Sequence, residues 1–209
     1  MHIPDGYLST PWIVGTYIFS FAYLAYAWKK VRNTLTPEKA AAATTLAAAI
    51  FAAMMLNWPI PGGTSLHMVG GALAAILFGP YLASLILALV VGTQCIVFHD
   101  GGITALGANI LNMAIVDVWV GYLVYKLVRR VVEGDKGILL GAFLGGWMGI
   151  FVAGITCGIE IGLSPSFPYG VEITVPVMGT WHFLLGVIEG VITAAVVWYL
   201  KDKVDWVRL

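Results

Sequence analysis

Tyr81-Leu82-Ala83-Ser84-Leu85-Ile86-Leu87-Ala88-Leu89-Val90-Val91-Gly92-Thr93-Gln94-Cys95-Ile96-Val97-Phe98 carries no charged side chain. Wound as an α-helix, a run of this length covers most of a bilayer core of about 30 Å. Comparable apolar stretches lie at about 11–28, 40–57, 66–78, 103–128, 138–162 and 178–200. The whole chain is 60% apolar and only 11% charged, with a mean hydropathy of +0.90, outside the range of soluble domains. These features predict an all-α, polytopic membrane bundle of about seven transmembrane helices. The third stretch is short and meets the fourth at Gly79-Pro80, which reads as a tight helical hairpin or a re-entrant segment. Residues 1–209 read as a single domain, with no internal repeat, linker or separate soluble unit. The zero net charge says nothing about partners, and no nucleic-acid partner is expected.

Charge placement gives a direction. Lys29, Lys30, Arg32 and Lys39 flank the first connection, Lys126, Arg129, Arg130 and Lys136 the fifth, and Lys201, Lys203 and Arg208 close the tail. Seven crossings put all three clusters on one side, which the positive-inside rule makes cytoplasmic. The N-terminus is then outside and the C-terminus cytoplasmic, and all four histidines fall at the outer ends of spans. Positive charge follows the first apolar run instead of preceding it, so no cleavable signal is expected. Cys95 and Cys157 lack CxxC spacing and read as small buried apolar residues, with a soft-metal or redox role as the alternative.

The outer face carries the chemistry. The chain starts Met1-His2-Ile3-Pro4-Asp5-Gly6. A chain beginning X-His can hold a metal through its free amine, the deprotonated His2 amide and the His2 Nδ1, which close fused five- and six-membered rings. Three nitrogens of a square plane suit Ni(II), Cu(II) or low-spin Co(II), whereas Zn(II) prefers a tetrahedron. The alternative is a histidine of no consequence in a frayed terminus. In Asn57-Trp58-Pro59-Ile60-Pro61-Gly62-Gly63-Thr64-Ser65-Leu66-His67 the prolines and glycines forbid a continuous helix. Backbone that is not helical at membrane depth survives only where protein or a polar cavity satisfies it. His67 reads either as a fourth nitrogen ligand or as a solvated histidine at a helix start. An extended arm of residues 1–10 reaches roughly 30 Å, enough to fold back to His67.

His99-Asp100-Gly101-Gly102 makes an outer turn, and Asn109 and Asn112 stand three apart on the helix that follows. A metal-bound imidazole normally gives its other nitrogen to a nearby acceptor. Thr64, Ser65, Gln94, His99, Asp100, Asn109 and Asn112 are therefore candidates to orient the ligands or gate the mouth, Gln94 foremost for the gate. Interhelical hydrogen bonding without a role in the site is the other reading. Glu189 lies seven residues beyond His182, two turns along one helical face, and Glu160 near the outer end of the sixth span. A His182–Glu189 relay is one reading, and an interfacial anchor over a hydrogen-bonded Glu the other.

The start Met1-His2-Ile3-Pro4-Asp5-Gly6-Tyr7-Leu8, the loop Pro61-Gly62-Gly63-Thr64-Ser65-Leu66-His67 and the run His99-Asp100-Gly101-Gly102 through Leu106-Gly107-Ala108-Asn109 resemble the nickel/cobalt M subunit family. Those proteins are the substrate-capturing S components of energy-coupling-factor transporters. The resemblance spans nearly the whole chain. It implies a multi-pass protein of the prokaryotic inner membrane, holding Ni(II) or Co(II) as cargo through the Met1 amine, the His2 amide and imidazole, and His67. Residues 1–10 are then the metal-chelating arm. It also implies a transmembrane coupling subunit, two cytosolic ATPases and in some systems a small accessory membrane protein, with the S component toppling in the membrane as ATP is used. No phosphate-cradling GxxxxGK[ST] loop occurs in the chain, and no resident cofactor is expected.

A cobalt-specific S component feeding cobalamin synthesis is the alternative within that class. Outside it, paired histidines such as His99 and His182 could clamp haem, as in a membrane cytochrome. An intramembrane metallohydrolase would need a general base such as Glu160 or Glu189, but HExxH is lacking and four nitrogens leave no in-plane place for water.

Overall fold

The computed structural model describes residues 1–203; Arg208, counted above among the tail's basic residues, lies outside the described residues. Seven helices follow in order among the described residues. They are α1 (Thr10–Val31), α2 (Pro37–Met54), α3 (Gly71–Phe78), α4 (Pro80–Phe98), α5 (Leu106–Val131), α6 (Gly134–Gly162) and α7 (Val171–Leu200). Their starts follow local chemistry. Ser9 and Thr36 precede α1 and α2 in extended conformation with proline in the first turn, and the Thr36 hydroxyl accepts from Lys39 N. Gly79, at φ +81°, turns the chain sharply into Pro80, so the hairpin reading of the third and fourth stretches holds. Inside α5 the residues Leu111–Val116 wind as a π-helix.

Four helices, α4 to α7, are long and apolar enough to cross a membrane by length and composition. α1 and α2, of 22 and 18 residues, have the length. The polar Thr16, Tyr17 and Ser20 of α1, and Pro37-Glu38-Lys39 of α2, dilute their hydropathy. The expectation of seven transmembrane helices needs its main correction at α3. Eight residues rise about 12 Å and cannot span alone. Non-helical backbone, His67 to Gly70, runs ahead of α3. At one end His67 meets the chain start. At the other, Gly79 lines a cavity with Lys39, Lys126 and Arg129, and Lys201 Nζ lies 2.7 Å from Asp135 Oδ1. Lys39, Lys126 and Arg129 thus lie at the end of α3 opposite His67.

α6 and α7 pack most closely. A Cβ on Gly190 would come within 2.5 Å of Phe143 O, and one on Gly158 within 2.9 Å of Thr174 O. Small residues bring these two backbones together, as between helices in lipid. Short strands Trp58–Pro59 and Ser65–Leu66 pair antiparallel and carry the loop that ends at His67. The core runs from Met1 and Ile3 through Met54, Leu87 and Met113 to Ile150 and Met178.

Candidate metal site at the chain start

The first three residues are interior. Met1 and Ile3 are fully buried and His2 is 3% exposed. Hydrogen bonds from three directions hold them. Ile3 N donates to Asn109 Oδ1 at 2.8 Å, while Ile3 O accepts from Asn109 Nδ2 at 3.1 Å and from Gly102 N at 2.9 Å. Asp5 Oδ1 accepts from Thr104 N and Oγ1 at 2.7 and 2.5 Å. Gly102 lets the arm lie this close, because a Cβ there would collide with the Asp5 backbone nitrogen.

The Met1 amine faces His67 Nε2 at 3.0 Å and also bonds Ser65, through its carbonyl and its Oγ. His67 Nδ1 donates to Met68 O at 2.8 Å, which fixes the tautomer and leaves a lone pair on Nε2 directed at the amine. His2 has the complementary arrangement. Its Nε2 donates to Gln94 Oε1 at 3.1 Å, so the lone pair sits on Nδ1. That nitrogen is buried without a hydrogen-bond partner, since Asp100 Oδ1 stands 3.6 Å away, beyond hydrogen-bond reach. The two imidazoles lie with centroids 4.5 Å apart. His2 N donates to Ser65 Oγ at 3.1 Å.

Electrostatics follow from burial. Desolvation pushes the Met1 amine down from 8.0 to about 5, and His2 down from 6.5 to about 3. Both are neutral at pH 7, the state in which nitrogen ligates a metal. Adjacent corners of a square plane with metal–nitrogen bonds of about 2.0–2.1 Å are about 2.9 Å apart. The separation of the amine and His67 Nε2 matches that spacing.

The candidates divide by place. Met1, His2, His67, Ser65, Gln94 and Asn109 come together at the arm. Asp100 stands beside His2 and is tied to Asn57 Nδ2 at 2.7 Å. Thr64 lies one step deeper, with its Oγ1 3.7 Å from Cys157 Sγ and 3.9 Å from Met178 Sδ. His99 ends α4 in the left-handed region, φ 56°, and its side chain is exposed along a mouth cleft of about 630 Å³ that His2 and Asp100 also line. Asn112 is not with the arm. Its Nδ2 donates to Glu160 Oε2 at 2.6 Å, because the wide π turn beginning at Leu111 sets it against α6. His182 and Glu189 are not bonded to each other. His182 Nδ1 donates to Met178 O, and Glu189 accepts from Val69 N and Gly70 N. Asp5 with Thr104, and the backbone clamp on Ile3, escaped the sequence reading; the only signal for them was the polar Thr104 opposite an acidic arm.

The family profile described as cobalt uptake substrate-specific transmembrane region, CbiM, matches residues 2–206. The chain belongs to the CbiM family. A proposed fused nickel transport protein of Archaeoglobus fulgidus, NikMN, is 56% identical over 200 residues, covering 96% of this chain. The chain spans 65% of that relative, about two thirds of its length. A cobalt transport protein CbiM of Lachnoclostridium phytofermentans is 31% identical over 204 residues, covering 94% of this chain and 80% of the relative. A crystal structure of a truncated transition metal transporter superposes with a TM-score of 0.92 at 37% identity, covering 97% of this chain and 99% of that one. As a CbiM-family member the chain is a multi-pass membrane protein of a family that includes nickel and cobalt transport proteins, and that family is one of transporters, not enzymes.

Proposed function

We propose that this chain is the substrate-capturing component of an ATP-driven importer of the energy-coupling-factor type, and that its cargo is Ni(II) or Co(II). The ion is held in a square plane by the Met1 amine, the deprotonated His2 amide, His2 Nδ1 and His67 Nε2. One observation carries the reading: the amine lies 3.0 Å from His67 Nε2, beside a His2 Nδ1 that is buried without a hydrogen-bond partner. Such an orphaned acceptor costs about 1–3 kcal/mol, which a metal bond on it would offset. Ser65 Oγ accepts from the His2 amide, whose proton the metal would replace.

The metal site faces outward and the basic end is cytoplasmic, with the N-terminus outside and the C-terminus inside. Partners are a transmembrane coupling subunit and two cytosolic ATPases, joined in some systems by a small accessory membrane protein. Release into the cell requires opening a fused-ring chelate, and ATP hydrolysis by the partners supplies that work. Four nitrogens in a plane favour Ni(II) slightly. Cobalt, destined for cobalamin synthesis, is the second reading, favoured by the family's description as a cobalt-uptake region.

Two measurements test the proposal. Titration of the purified protein should show one Ni(II) per chain with the visible band of a square-planar diamagnetic centre; a six-coordinate paramagnetic spectrum contradicts the donor set. In proteoliposomes with the coupling subunit and ATPases, Ni(II) should accumulate only with ATP inside the compartment holding the ATPases. Accumulation without ATP contradicts the importer.

A further inference from the structure

The non-helical backbone ahead of α3 leaves buried N–H groups that no helix satisfies. Val69 N donates to Glu189 Oε2 at 2.9 Å and Gly70 N to Glu189 Oε1 at 2.7 Å. The next amide, Gly71 N, donates to Asp117 Oδ2 at 2.9 Å. Two carboxylates from different helices, Glu189 on α7 and Asp117 on α5, thus take three successive amides, and both side chains are fully buried. The sequence is fitted to this approach. A Cβ on Gly71 would collide with the Asp117 carboxylate, and Gly70 takes φ +79° against Ile50. The Gly70 and Gly71 amides also belong to the free N-terminus of α3, where backbone donors and the helix dipole favour an acceptor of negative charge.

The turn so held begins two residues after His67. His67 Nδ1 is itself bonded to Met68 O, in the residue just before that turn. The position of Nε2 therefore depends on where residues 68–70 are pinned, and Glu189 pins two of those residues by both its oxygens.

We infer that Glu189 and Asp117 are positioning residues for metal capture: by fixing the 68–71 turn they set His67 Nε2 at its distance from the Met1 amine. This rests on the capture reading above and adds a requirement to it. Neither carboxylate touches the ion. Replacing either by its amide leaves the volume nearly unchanged but can set an NH2 against a backbone N–H, and the turn shifts. Groups that orient a metal ligand from behind are worth about 10–100-fold in metal affinity.

The test compares wild type, His67→Ala, Glu189→Gln and Asp117→Asn, each purified whole and titrated with Ni(II), with the visible band of the bound ion and the melting temperature of the metal-free protein recorded. Expected are a 10–100-fold loss of affinity in both carboxylate variants and a band moved toward that of His67→Ala. Glu189→Asp, one methylene shorter but still a carboxylate, should recover part of the affinity. A lowered melting temperature with wild-type affinity and band overturns the inference, since the carboxylates would then be structural alone. If His67→Ala itself binds as wild type does, the capture reading falls instead. The two variants sit on separate helices and reach the same turn, so poor folding of one leaves the other to decide.

Discussion

His2 places its two ring nitrogens in opposite circumstances, Nε2 bonded to Gln94 and Nδ1 buried without a hydrogen-bond partner. Gln94→Leu should leave the Nε2 proton unpaired in the interior, at about 1–3 kcal/mol, or roughly a 10- to 100-fold loss in Ni(II) affinity. Gln94→Glu keeps an acceptor at nearly the same volume and should retain most of the binding; equal loss in both variants would contradict a role for the acceptor on His2 Nε2. The Met1 amine gives a pH dependence whose sign is fixed. Its value falls from 8.0 in a free arm to about 5 in the docked arm. Docking is therefore fully favoured above about pH 8 and loses about 1.4 kcal/mol per unit as pH falls toward 5. Metal capture also expels the His2 amide proton, which acts in the same direction. Ni(II) affinity measured from pH 8 to 5 should fall steadily, and a flat profile would contradict the chelate. The proposed donors of the arm stand out at this scale because an X-His start is itself a chelating motif. The tautomers were not, since they depend on Gln94 and Met68 arriving from elsewhere in the chain.

Among the elements, the arm and the start of α5 act as one unit. Asn109 bonds both the N–H and the carbonyl of Ile3, the exchange one strand makes with another. Asn109→Ala should free the arm and weaken Ni(II) binding about 10–100-fold, on the scale of groups that support a metal ligand. Asn109→Asp keeps the acceptor for Ile3 N and should fall between; limited proteolysis near residues 5–10 would report arm release independently. Unchanged affinity and cleavage in Asn109→Ala would remove the clamp from the account. Hydropathy made most helices legible, together with the break at Gly79-Pro80. It also set the helical third stretch too long, starting at 66 where α3 starts at Gly71, because Met68 and Val69 are apolar in sequence yet not helical. Asn112 was grouped with Asn109 on α-helical spacing. The π turn undoes that spacing, and no property of Leu111–Val116 as a string announces it.

At the scale of the whole molecule, the proposed metal residues stand at one end of α3 and its non-helical entry, and Lys39, Lys126 and Arg129 at the other. Charge placement alone made that polarity legible. What sequence could not supply was the pairing of α6 with α7 and the depth at which the arm docks, since both depend on contacts remote in the chain. The glycine seam between those two helices bears on stability, not on capture. Gly190→Val would press against Phe143 O and should lower the melting temperature by several degrees while the remaining folded protein binds Ni(II) normally; an unchanged melting temperature would contradict close packing there. The central claim concerns the chain start, where the amine is both a terminus and a ligand. Its most direct test is Ni(II) titration of the protein with its native start beside one carrying a single extra residue before His2. The account predicts one square-planar Ni(II) in the first and loss of that centre in the second, because the added residue displaces the amine from its corner beside His67. Equal binding by the two proteins, with the same spectrum, would contradict it.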